Sequence, residues 1–340
     1  MFNRLPFFVA EISANHLGKI ERAHELIDLA AEAGASAVKF QTYKASTMTL
    51  DIPKFSVDAD HLLWGGRKLY DLYLEAHTPW EWHKELFSHC LEKNLTPFSS
   101  PFDESAVDFL ESIDCPIYKI ASLETGDTTL IKKIAGTGKP IIASTGATTL
   151  SEIEEMLEII KDNSSSDITL LVCTSSYPSR PGDAHLGRLK FLRDKFGVRV
   201  GLSDHTLGIG VSIAAIALGA IVIEKHFTKS RSESGPDSEF SMEPKEFKDL
   251  VSHGNDAYQA IGSEEWIEIS IEDSSRQLRR SLFVTENVKA GEVATRKNIR
   301  SIRPAGGLAP KYLDKLLGKR FIQDAEIGDP VTLKMFTEEI

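Results

Sequence analysis

The segment RVGLSDHTLGIGVSIAAIALGAIVIEKHF, residues 199–227, contains two short strand candidates separated by an apolar helical stretch. Both strand candidates carry several branched apolar residues and do not alternate cleanly between apolar and polar positions. Such runs are typical of parallel strands that are buried on both faces of a sheet. The segment therefore predicts one unit of a parallel β/α repeat.

The same unit recurs through the first part of the chain. The strand candidates are FFVAEIS (7–13), AVKFQTY (37–43), TPFSSPF (96–102), IYKIAS (117–122), PIIASTG (140–146), ITLLVCTS (168–175), RVGLSDH (199–205) and AIVIEKHF (220–227). Amphipathic helical stretches lie between them. Eight strands, each followed by a helix, predict an α/β protein with a closed (β/α)8 TIM barrel. The alternative is an open doubly wound sheet, but no Gly-rich G-x-G-x-x-G turn follows the first strand.

Two insertions and a different C-terminal region interrupt the repeat. Residues 44–78 and 228–243 follow the second and eighth strands, so both are expected at the carboxyl-terminal face of the barrel, where active sites form. Beyond the barrel come a polar stretch and short segments with turn signals. We predict a barrel domain at 1–265, a linker at 266–281 and a small, mostly irregular domain at 282–340.

Composition and charge exclude several classes of protein. The 340 residues have a formal net charge of −11, which argues against a nucleic-acid or anionic-membrane partner. No apolar run approaches the ~18 residues that a membrane span needs. The three cysteines show no paired or metal-type spacing, which favours a reducing cytoplasmic location. The charge is uneven, because residues 276–340 carry 13 Lys and Arg against 8 Asp and Glu, which predicts attraction to the acidic remainder.

Two histidines end neighbouring strands of the predicted barrel. His205 ends the seventh strand and His226, 21 residues later, ends the eighth. Adjacent strands lie ~4.8 Å apart, so two imidazoles on one rim can share a metal ion. Two protein ligands would leave positions open for water and substrate, as a catalytic metal site requires. The alternative is that each histidine caps a strand or bonds a backbone carbonyl group.

Nearly every predicted strand ends in a polar side chain, which favours an enzyme over a purely structural barrel. Lys39 and Lys119 are the notable cations, and hydroxyl groups end the strands around them, at Ser100, Ser122 and Ser144. Charge combined with many donors favours an anion clamp that binds phosphate. A Schiff-base lysine and salt bridges to Glu11 or Glu124 are the alternatives. Glu11 itself is a candidate base, a substrate-orienting group or a partner of Lys39.

In chain order, these strand ends resemble the sialic acid synthase family. The matching motifs are AEISANHLG (10–18), VKFQTY (38–43), SSPFD (99–103), YKIAS (118–122), STG (144–146), CTSSYP (173–178), GLSDHTLG (201–208) and EKHFT (224–228). The tail, with KAGE and IRSIRPAGGLAPKYLDKLLGK, resembles the antifreeze-like (SAF) domain of the same enzymes. The resemblance covers nearly the whole chain, and the set of motifs is highly specific although each motif alone is modest.

The resemblance implies a condensation of phosphoenolpyruvate with the open-chain aldehyde of an acetamido sugar and water, with phosphate released by C–O cleavage. It implies that phosphoenolpyruvate contacts Lys39, Ser100, Lys119, Ser122, Ser144 and Ser203. His205 and His226 match the ligands of a divalent metal, with Mn²⁺ expected and Mg²⁺ or Co²⁺ as alternatives. Glu11, His205 and His226 are the catalytic candidates. The sugar-binding candidates are Gln41, Glu124, Tyr177, Asp204 and Arg303.

Arg303 matches the arginine that reaches the active site of the other subunit, so the resemblance also implies a homodimer with swapped C-terminal domains. Two departures from the family pattern are visible. Leu17 stands where the family usually has a polar residue, which concerns the surroundings of His16. Ser100 stands where the family usually has threonine and keeps a hydroxyl group.

Within the family, two segments are most similar to the pseudaminic acid synthase branch. They are LYDLYLEAHTPWEWH (69–83) and SGPDSEFSMEP (234–244). The expected sugar is then 2,4-diacetamido-2,4,6-trideoxy-L-altrose. Legionaminate and N-acetylneuraminate synthases, which use the same chemistry on other sugars, remain alternatives. The non-catalytic alternative is a carbohydrate-binding module.

Overall fold

The computed structural model describes residues 5–59, 64–263 and 265–336. The chain divides into two compact units, Met1–Gly262 and Ser263–Ile340. Within the described residues, no helix is both long and apolar enough to cross a membrane.

Eight parallel strands close a barrel in chain order, which confirms the predicted TIM barrel. The strands are β1 (Phe7–Glu11), β2 (Ala37–Thr42), β3 (Thr96–Pro101), β4 (Tyr118–Ile120), β5 (Ile141–Ser144), β6 (Ile168–Cys173), β7 (Arg199–Ser203) and β8 (Val222–His226). Each lies within the segment predicted for it. The predicted segments are longer mainly because their last residues turn out of the sheet toward the loops.

Helices surround the strands. Those described in this unit are α1 (Ile20–Glu32), α2 (Ala45–Met48), α3 (Leu69–Ala76), α4 (His83–Glu92), α5 (Glu104–Ser112), α6 (Thr128–Ala135), α7 (Leu150–Asn163), α8 (Gly187–Phe196), α9 (Gly210–Ala217) and α10 (Pro244–Ile261). Local signals set several ends. Asp103 caps α5 by accepting from the backbone N–H groups of Ser105 and Ala106, at 2.8 and 3.1 Å. Gly197 ends α8 in the left-handed conformation.

The strand register brings the polar strand ends together. Glu11 at the end of β1 pairs with Lys39 on β2 and with His226 on β8. Ser203 on β7 pairs with Glu224 on β8. Below this rim the strands and helices pack one continuous apolar core, which includes Phe8, Phe40, Phe98, Ile142 and Leu171. The chemically active groups therefore lie on top of a packed core, as in other TIM barrels.

The two insertions meet above the rim. The first contains α2 and α3, and Ser56 bridges Lys68 as a short antiparallel pair. The indole N–H of Trp64 donates to the carbonyl oxygen of Pro236 at 3.1 Å, which joins the first insertion to the loop after β8. Both insertions lie at the carboxyl-terminal face, as the sequence predicts.

The second unit is small and mostly irregular. β9 (Ser281–Val284) and β10 (Ile299–Ile302) form a two-stranded antiparallel sheet, and the helices are α11 (Asp273–Gln277) and α12 (Leu313–Leu316). A separate apolar core includes Leu282, Ile299, Leu316, Phe321 and Val331. Within the stretch for which we predict a linker, α11 is joined to this unit, because Ala305 N–H donates to Gln277 O at 2.9 Å.

Gly201 in β7 provides a test of barrel packing. A Cβ at this position would lie 2.5 Å from Val222 O and 2.6 Å from Leu171 Cδ2. Because both neighbours belong to adjacent strands that cannot easily move, we expect Gly201→Ala to destabilise the barrel by about 1–3 kcal/mol. Thermal unfolding followed by calorimetry measures the effect. The control is Gly187→Ala on the surface, where a Cβ meets open space; equal midpoints for the two variants would contradict the packing argument.

Candidate active site

A cavity of about 300 Å³ opens at the carboxyl ends of the strands, beneath the two insertions. Ten of the sequence-predicted site residues line it: Lys39, Gln41, Lys119, Ser122, Glu124, Ser144, Tyr177, Ser203, His205 and His226. Glu11 and Ser100 lie next to it through their contacts with Lys39. The fold thus brings together most of the side chains that the sequence predicts at the strand ends.

Two buried lysines and the buried carboxylate of Glu224 form the floor of the cavity, and the buried carboxyl group of Glu11 lies next to it. Lys39 Nζ lies 2.8 Å from Glu11 Oε2 and 3.6 Å from Glu224 Oε1. Lys119 Nζ lies 3.9 Å from the same oxygen of Glu224. Glu224 therefore stands between the two cations. Glu224 lies near the end of β8, but the sequence pattern predicts no role for it.

The ionisation of these groups follows from burial and from their neighbours. Burial lowers the pKa of Lys119, and the charge of Glu224 offsets this only in part. Burial also opposes the charge of Lys39, but Glu11 and Glu224 outweigh it, so the pKa of Lys39 is raised. Burial raises the pKa of Glu11. Burial has the same tendency at Glu224, but Lys119 and Lys39 overcome it and lower its pKa.

Serine hydroxyl groups surround the lysines. Lys119 Nζ donates to Ser144 Oγ at 2.7 Å, and Lys39 Nζ donates to Ser100 Oγ at 3.4 Å. Ser203 Oγ donates to Glu224 Oε1 at 3.1 Å, and Ser122 Oγ accepts from Gly146 N at 3.1 Å. Two ammonium groups among several hydroxyl groups are the donors that a phosphate or carboxylate prefers. This geometry fits the predicted anion clamp.

The two histidines face each other across the same cavity. Their ring centroids are 5.4 Å apart. His205 Nδ1 lies 2.9 Å from the carbonyl oxygen of Thr174, so Nδ1 donates there; burial lowers the pKa of His205, but Cys173 and Thr174 outweigh it and raise that pKa. His226 Nδ1 is buried without a hydrogen-bond partner among the described residues. Burial and the neighbouring His205 hold the pKa of His226 well below its usual value, so its ring is neutral.

This donor set fits a divalent metal ion. Neutral imidazoles with one ring nitrogen held by a carbonyl group are the usual state of metal-ligating histidines. Within the described ranges, no group of three or more His, Cys, Asp and Glu side chains has the geometry to hold a metal. The histidine pair would therefore leave most coordination positions to water or substrate, which is typical of catalytic sites.

Tyr177 and Phe240 cover the histidines. The Tyr177 ring lies 4.3 Å from His205 and 6.0 Å from His226, measured between centroids. Phe240 lies 5.0 Å from both Tyr177 and His226. These rings shield the imidazoles from bulk water, so interactions of charged ligands at this point are strengthened.

Asp204 does not line the cavity, contrary to the expectation of a sugar contact. Its carboxylate accepts from Thr206 N at 2.9 Å, Ser212 Oγ at 2.6 Å and Lys225 Nζ at 3.1 Å. Successive side chains after a strand point to opposite faces. Since Ser203 and His205 point into the barrel mouth, Asp204 points outward, where it pairs with Lys225 behind the site.

Glu124 and Gln41 occupy two edges of the cavity. Gln41 Nε2 donates to Glu11 Oε1 at 2.9 Å and to Ser13 Oγ at 3.0 Å. Glu124 is largely buried, and its Oε2 has no hydrogen-bond partner among the described residues. Arg303 follows β10 in the second unit and is exposed there.

Several cavity residues were not predicted. Tyr43, Tyr73, Ser13 and Asp237 all line it. Asp237 lies in the loop after β8, accepts a short hydrogen bond from Ser13 Oγ and also accepts from Ala14 N at 3.3 Å. Tyr43 directly follows β2, so its place at a strand end was the available signal. Ser13 ends the first predicted strand segment and had the same signal, whereas Tyr73 and Asp237 lie in insertions whose course the β/α repeat does not specify.

Known proteins with the same architecture identify the family. Residues 26–266 match the NeuB family and residues 279–337 match the SAF domain. The chain is 41% identical to the pseudaminic acid synthase of Campylobacter jejuni over 326 aligned residues. The alignment covers 95% of this chain and 94% of that protein. The chain is 38% identical over 323 residues to the N,N'-diacetyllegionaminic acid synthase of the same species, with coverages of 92% and 94%.

A solved structure agrees with this relationship. The N-acetylneuraminic acid synthetase of Leptospira borgpetersenii superposes with a TM-score of 0.72 at 33% identity and covers 80% of this chain and 90% of its own. Fold and site together define a barrel enzyme of the synthase class. The chain belongs to the NeuB family, and its relatives are synthases of nonulosonic acids. The hypothesis of a non-catalytic carbohydrate-binding module is therefore not supported.

Glu124 gives a prediction about pH. Burial raises the pKa of Glu124 from 4.5 to about 7, while Lys119 acts in the opposite direction. The folded state thus holds this proton more tightly than the unfolded chain, so its stabilising effect is present below pH 4.5 and is lost as the pH rises through about 7. Between these limits we expect the free energy of unfolding of wild type to fall by about 3 kcal/mol relative to that of Glu124→Gln.

Unfolding midpoints of both proteins, measured from pH 5 to pH 8, test this expectation. The matched control is Glu158→Gln, an exposed position on α7. A constant difference between wild type and Glu124→Gln at every pH would contradict the assigned burial effect.

Proposed function

We propose that the protein is a pseudaminic acid synthase, which condenses phosphoenolpyruvate with 2,4-diacetamido-2,4,6-trideoxy-L-altrose and water. The observation that carries the proposal is the 41% identity to a pseudaminic acid synthase over nearly the whole chain, against 38% to a legionaminic acid synthase. The buried lysine and serine cluster supports it, because phosphoenolpyruvate brings both a phosphate and a carboxylate to the site.

The proposed reaction forms one carbon–carbon bond and breaks one carbon–oxygen bond. C3 of phosphoenolpyruvate bonds to the aldehyde carbon of the open-chain sugar, and water adds to C2. The aldehyde oxygen gains the proton that the attacking water loses. The adduct then collapses to a ketone, and phosphate leaves with its bridging oxygen and the hydroxyl proton.

Lys39, Lys119 and the serines Ser100, Ser122, Ser144 and Ser203 hold phosphoenolpyruvate in this proposal. Burial lowers the pKa of Lys119, and an incoming anion supplies the countercharge that favours its protonated form. The hydrogen bond from Lys119 Nζ to Ser144 Oγ and a second one to Ile120 O, at 3.1 Å, fix its position.

Glu11 serves as the proton-exchanging group at the aldehyde oxygen. Burial raises its pKa and favours the protonated carboxyl group, whereas the neighbouring Lys39 favours the carboxylate. Gln41 orients it through the 2.9 Å hydrogen bond to Oε1. The sugar then lies against Gln41, Glu124 and Tyr177, whereas Asp204 has no part in substrate contact because it faces away.

His205 and His226 would hold the divalent metal, with Mn²⁺ as the proposed ion and Mg²⁺ or Co²⁺ as alternatives. When bound, such an ion supplies Lewis-acid polarisation of the sugar aldehyde. The protein contributes the two imidazoles and, through Thr174, the orientation of the His205 ring. Tyr177 and Phe240 keep bulk water from the same place.

We further propose a homodimer with swapped C-terminal domains, in which Arg303 of the partner subunit contacts an acetamido group. The exposed guanidinium of Arg303 and the basic balance of residues 276–340 support this arrangement, because the rest of the chain is acidic. A cytoplasmic location is part of the proposal, since phosphoenolpyruvate is a metabolite of that compartment.

A panel of acetamido sugars tests the substrate. With phosphoenolpyruvate and Mn²⁺, we expect phosphate release to be fastest with 2,4-diacetamido-2,4,6-trideoxy-L-altrose. N-acetylmannosamine and the diacetamido precursor of legionaminic acid should be at least about tenfold poorer in kcat/KM, because pocket contacts of this size discriminate by 1–3 kcal/mol. A preference for either of the other sugars would assign the protein to the corresponding synthase.

Removal of the metal ligands tests the histidine pair. His205→Ala and His226→Ala should each lower kcat by more than the about 10–100-fold caused by loss of an outer-shell partner. Equilibrium dialysis should show loss of Mn²⁺ binding in both variants. The control is His253→Ala on the exposed face of α10. Undiminished Mn²⁺ binding by the double variant would refute the proposed ligands.

A further inference from the structure

The cavity has two chemically different sides. Its floor is formed by the charged and hydroxyl groups at the strand ends. Apart from these groups the lining includes five apolar side chains, Met48, Leu69, Leu72, Ala76 and Phe102, and the rings of Tyr43 and Tyr73 lie beside them. We call these five side chains the apolar wall. Four of them belong to the first insertion and only Phe102 comes from the loop after β3, so the wall is separate from the barrel strands.

Helix α3 presents one face to the cavity. Leu69, Leu72, Tyr73 and Ala76 follow the spacing i, i+3, i+4 and i+7, which places them on one side of a helix. Leu72 is 7% exposed, whereas Leu74 on the other side is 54% exposed. Helix α3 therefore turns its buried leucine toward the cavity and its exposed leucine away from it.

Aromatic packing holds the wall in place. Tyr43 lies edge-on to Tyr73 and to Phe102, with ring centroids 5.8 and 5.2 Å apart. Trp80 Nε1 donates to the backbone oxygen of Tyr43 at 3.2 Å, and Leu69 N donates to Phe55 O at 2.9 Å. These contacts pack the wall against the barrel mouth through side chains and two backbone carbonyl groups.

We propose that the apolar wall selects an acceptor sugar whose sixth carbon is a methyl group instead of a hydroxymethyl group. The inference rests on the proposed function, in which the sugar aldehyde reacts beside the lysines and histidines. C6 is the far end of the open chain, so it extends away from the charged floor and toward the wall. A hydroxyl group at C6 would lose its water and meet no partner among the five wall side chains.

The size of the effect follows from the chemistry. An apolar pocket rejects a substrate that carries an added hydroxyl group by about 10–100-fold, because an unsatisfied hydroxyl group is costly to bury. The experiment compares kcat/KM for 2,4-diacetamido-2,4,6-trideoxy-L-altrose with that for its 6-hydroxy counterpart, in the full-length Mn²⁺-loaded enzyme. We expect wild type to favour the 6-deoxy sugar by at least about tenfold.

Leu69→Gln and Leu72→Gln place an amide on the wall and should each reduce this preference at least about fivefold, because the amide can pair with the added hydroxyl group. Leu72→Met keeps the wall apolar and should retain the preference. Leu74→Gln introduces the same amide on the exposed side of α3 and is the matched control. Leu69 is less buried than Leu72, so the test stands even where Leu72→Gln does not fold.

The outcomes separate the two proposals. Turnover of the diacetamido altrose sugar, with a C6 preference that is absent in wild type or unchanged in Leu69→Gln, would overturn the role of the wall and leave the synthase proposal standing. No phosphate release with either diacetamido altrose sugar, but release with N-acetylmannosamine, would overturn both. An equal loss of the preference for the 6-deoxy sugar in Leu74→Gln would also contradict the proposed role of the wall, because the Leu74 side chain does not face the cavity.

Discussion

The site depends on the contact of two buried ammonium groups with buried carboxylates. Isolated in an apolar barrel mouth, Lys39 and Lys119 would be expensive to keep charged. Glu11 lies 2.8 Å from Lys39, and Glu224 lies within 4 Å of both lysines. These contacts require β1, β2 and β8 to be in the observed register, which sets Glu11 beside Lys39 and His226. The strand register that closes the barrel therefore also places the carboxylates that keep the lysines charged.

The molecule separates reactivity from selectivity. Barrel strands supply the charged floor, the hydroxyl groups and the imidazoles, all held by a parallel ladder above a close-packed core. In the proposed function, the insertions supply the surface that faces the rest of the substrate. Such a division lets one chemistry act on different sugars, which agrees with the similarity of the chain to synthases of more than one nonulosonic acid.

Much of the fold could be predicted from the sequence, because each buried strand is a short apolar run that ends in a polar residue. The lysines, serines and histidines followed from the rule that such ends converge in a barrel. Asp204 shows the limit of this rule: it lies next to Ser203 and His205, but strand alternation turns it outward onto Lys225. Glu224 is the opposite case, a site residue that the rule did not single out. Its position between two lysines depends on distances in the folded protein, which the order of residues at a strand end does not specify.

The insertions were harder to predict. Helix α3 was part of a quoted motif, but its orientation over the cavity depends on tertiary contacts such as the packing of Tyr43 against Tyr73. The position of Asp237 depends on the loop after β8, whose polar sequence has no periodicity. Where neither helical nor strand spacing applies, sequence patterns do not specify which side chain points inward.

The hydrogen bond from Trp64 to the carbonyl oxygen of Pro236 has a consequence for how such enzymes diversify. It couples two loops whose bonded residues are 172 positions apart in the chain. A chimera whose first insertion lacks Trp64 would leave the carbonyl oxygen of Pro236 without this donor. Exchange of the first insertion alone would then loosen the loop after β8, which carries Asp237 in the lining of the cavity.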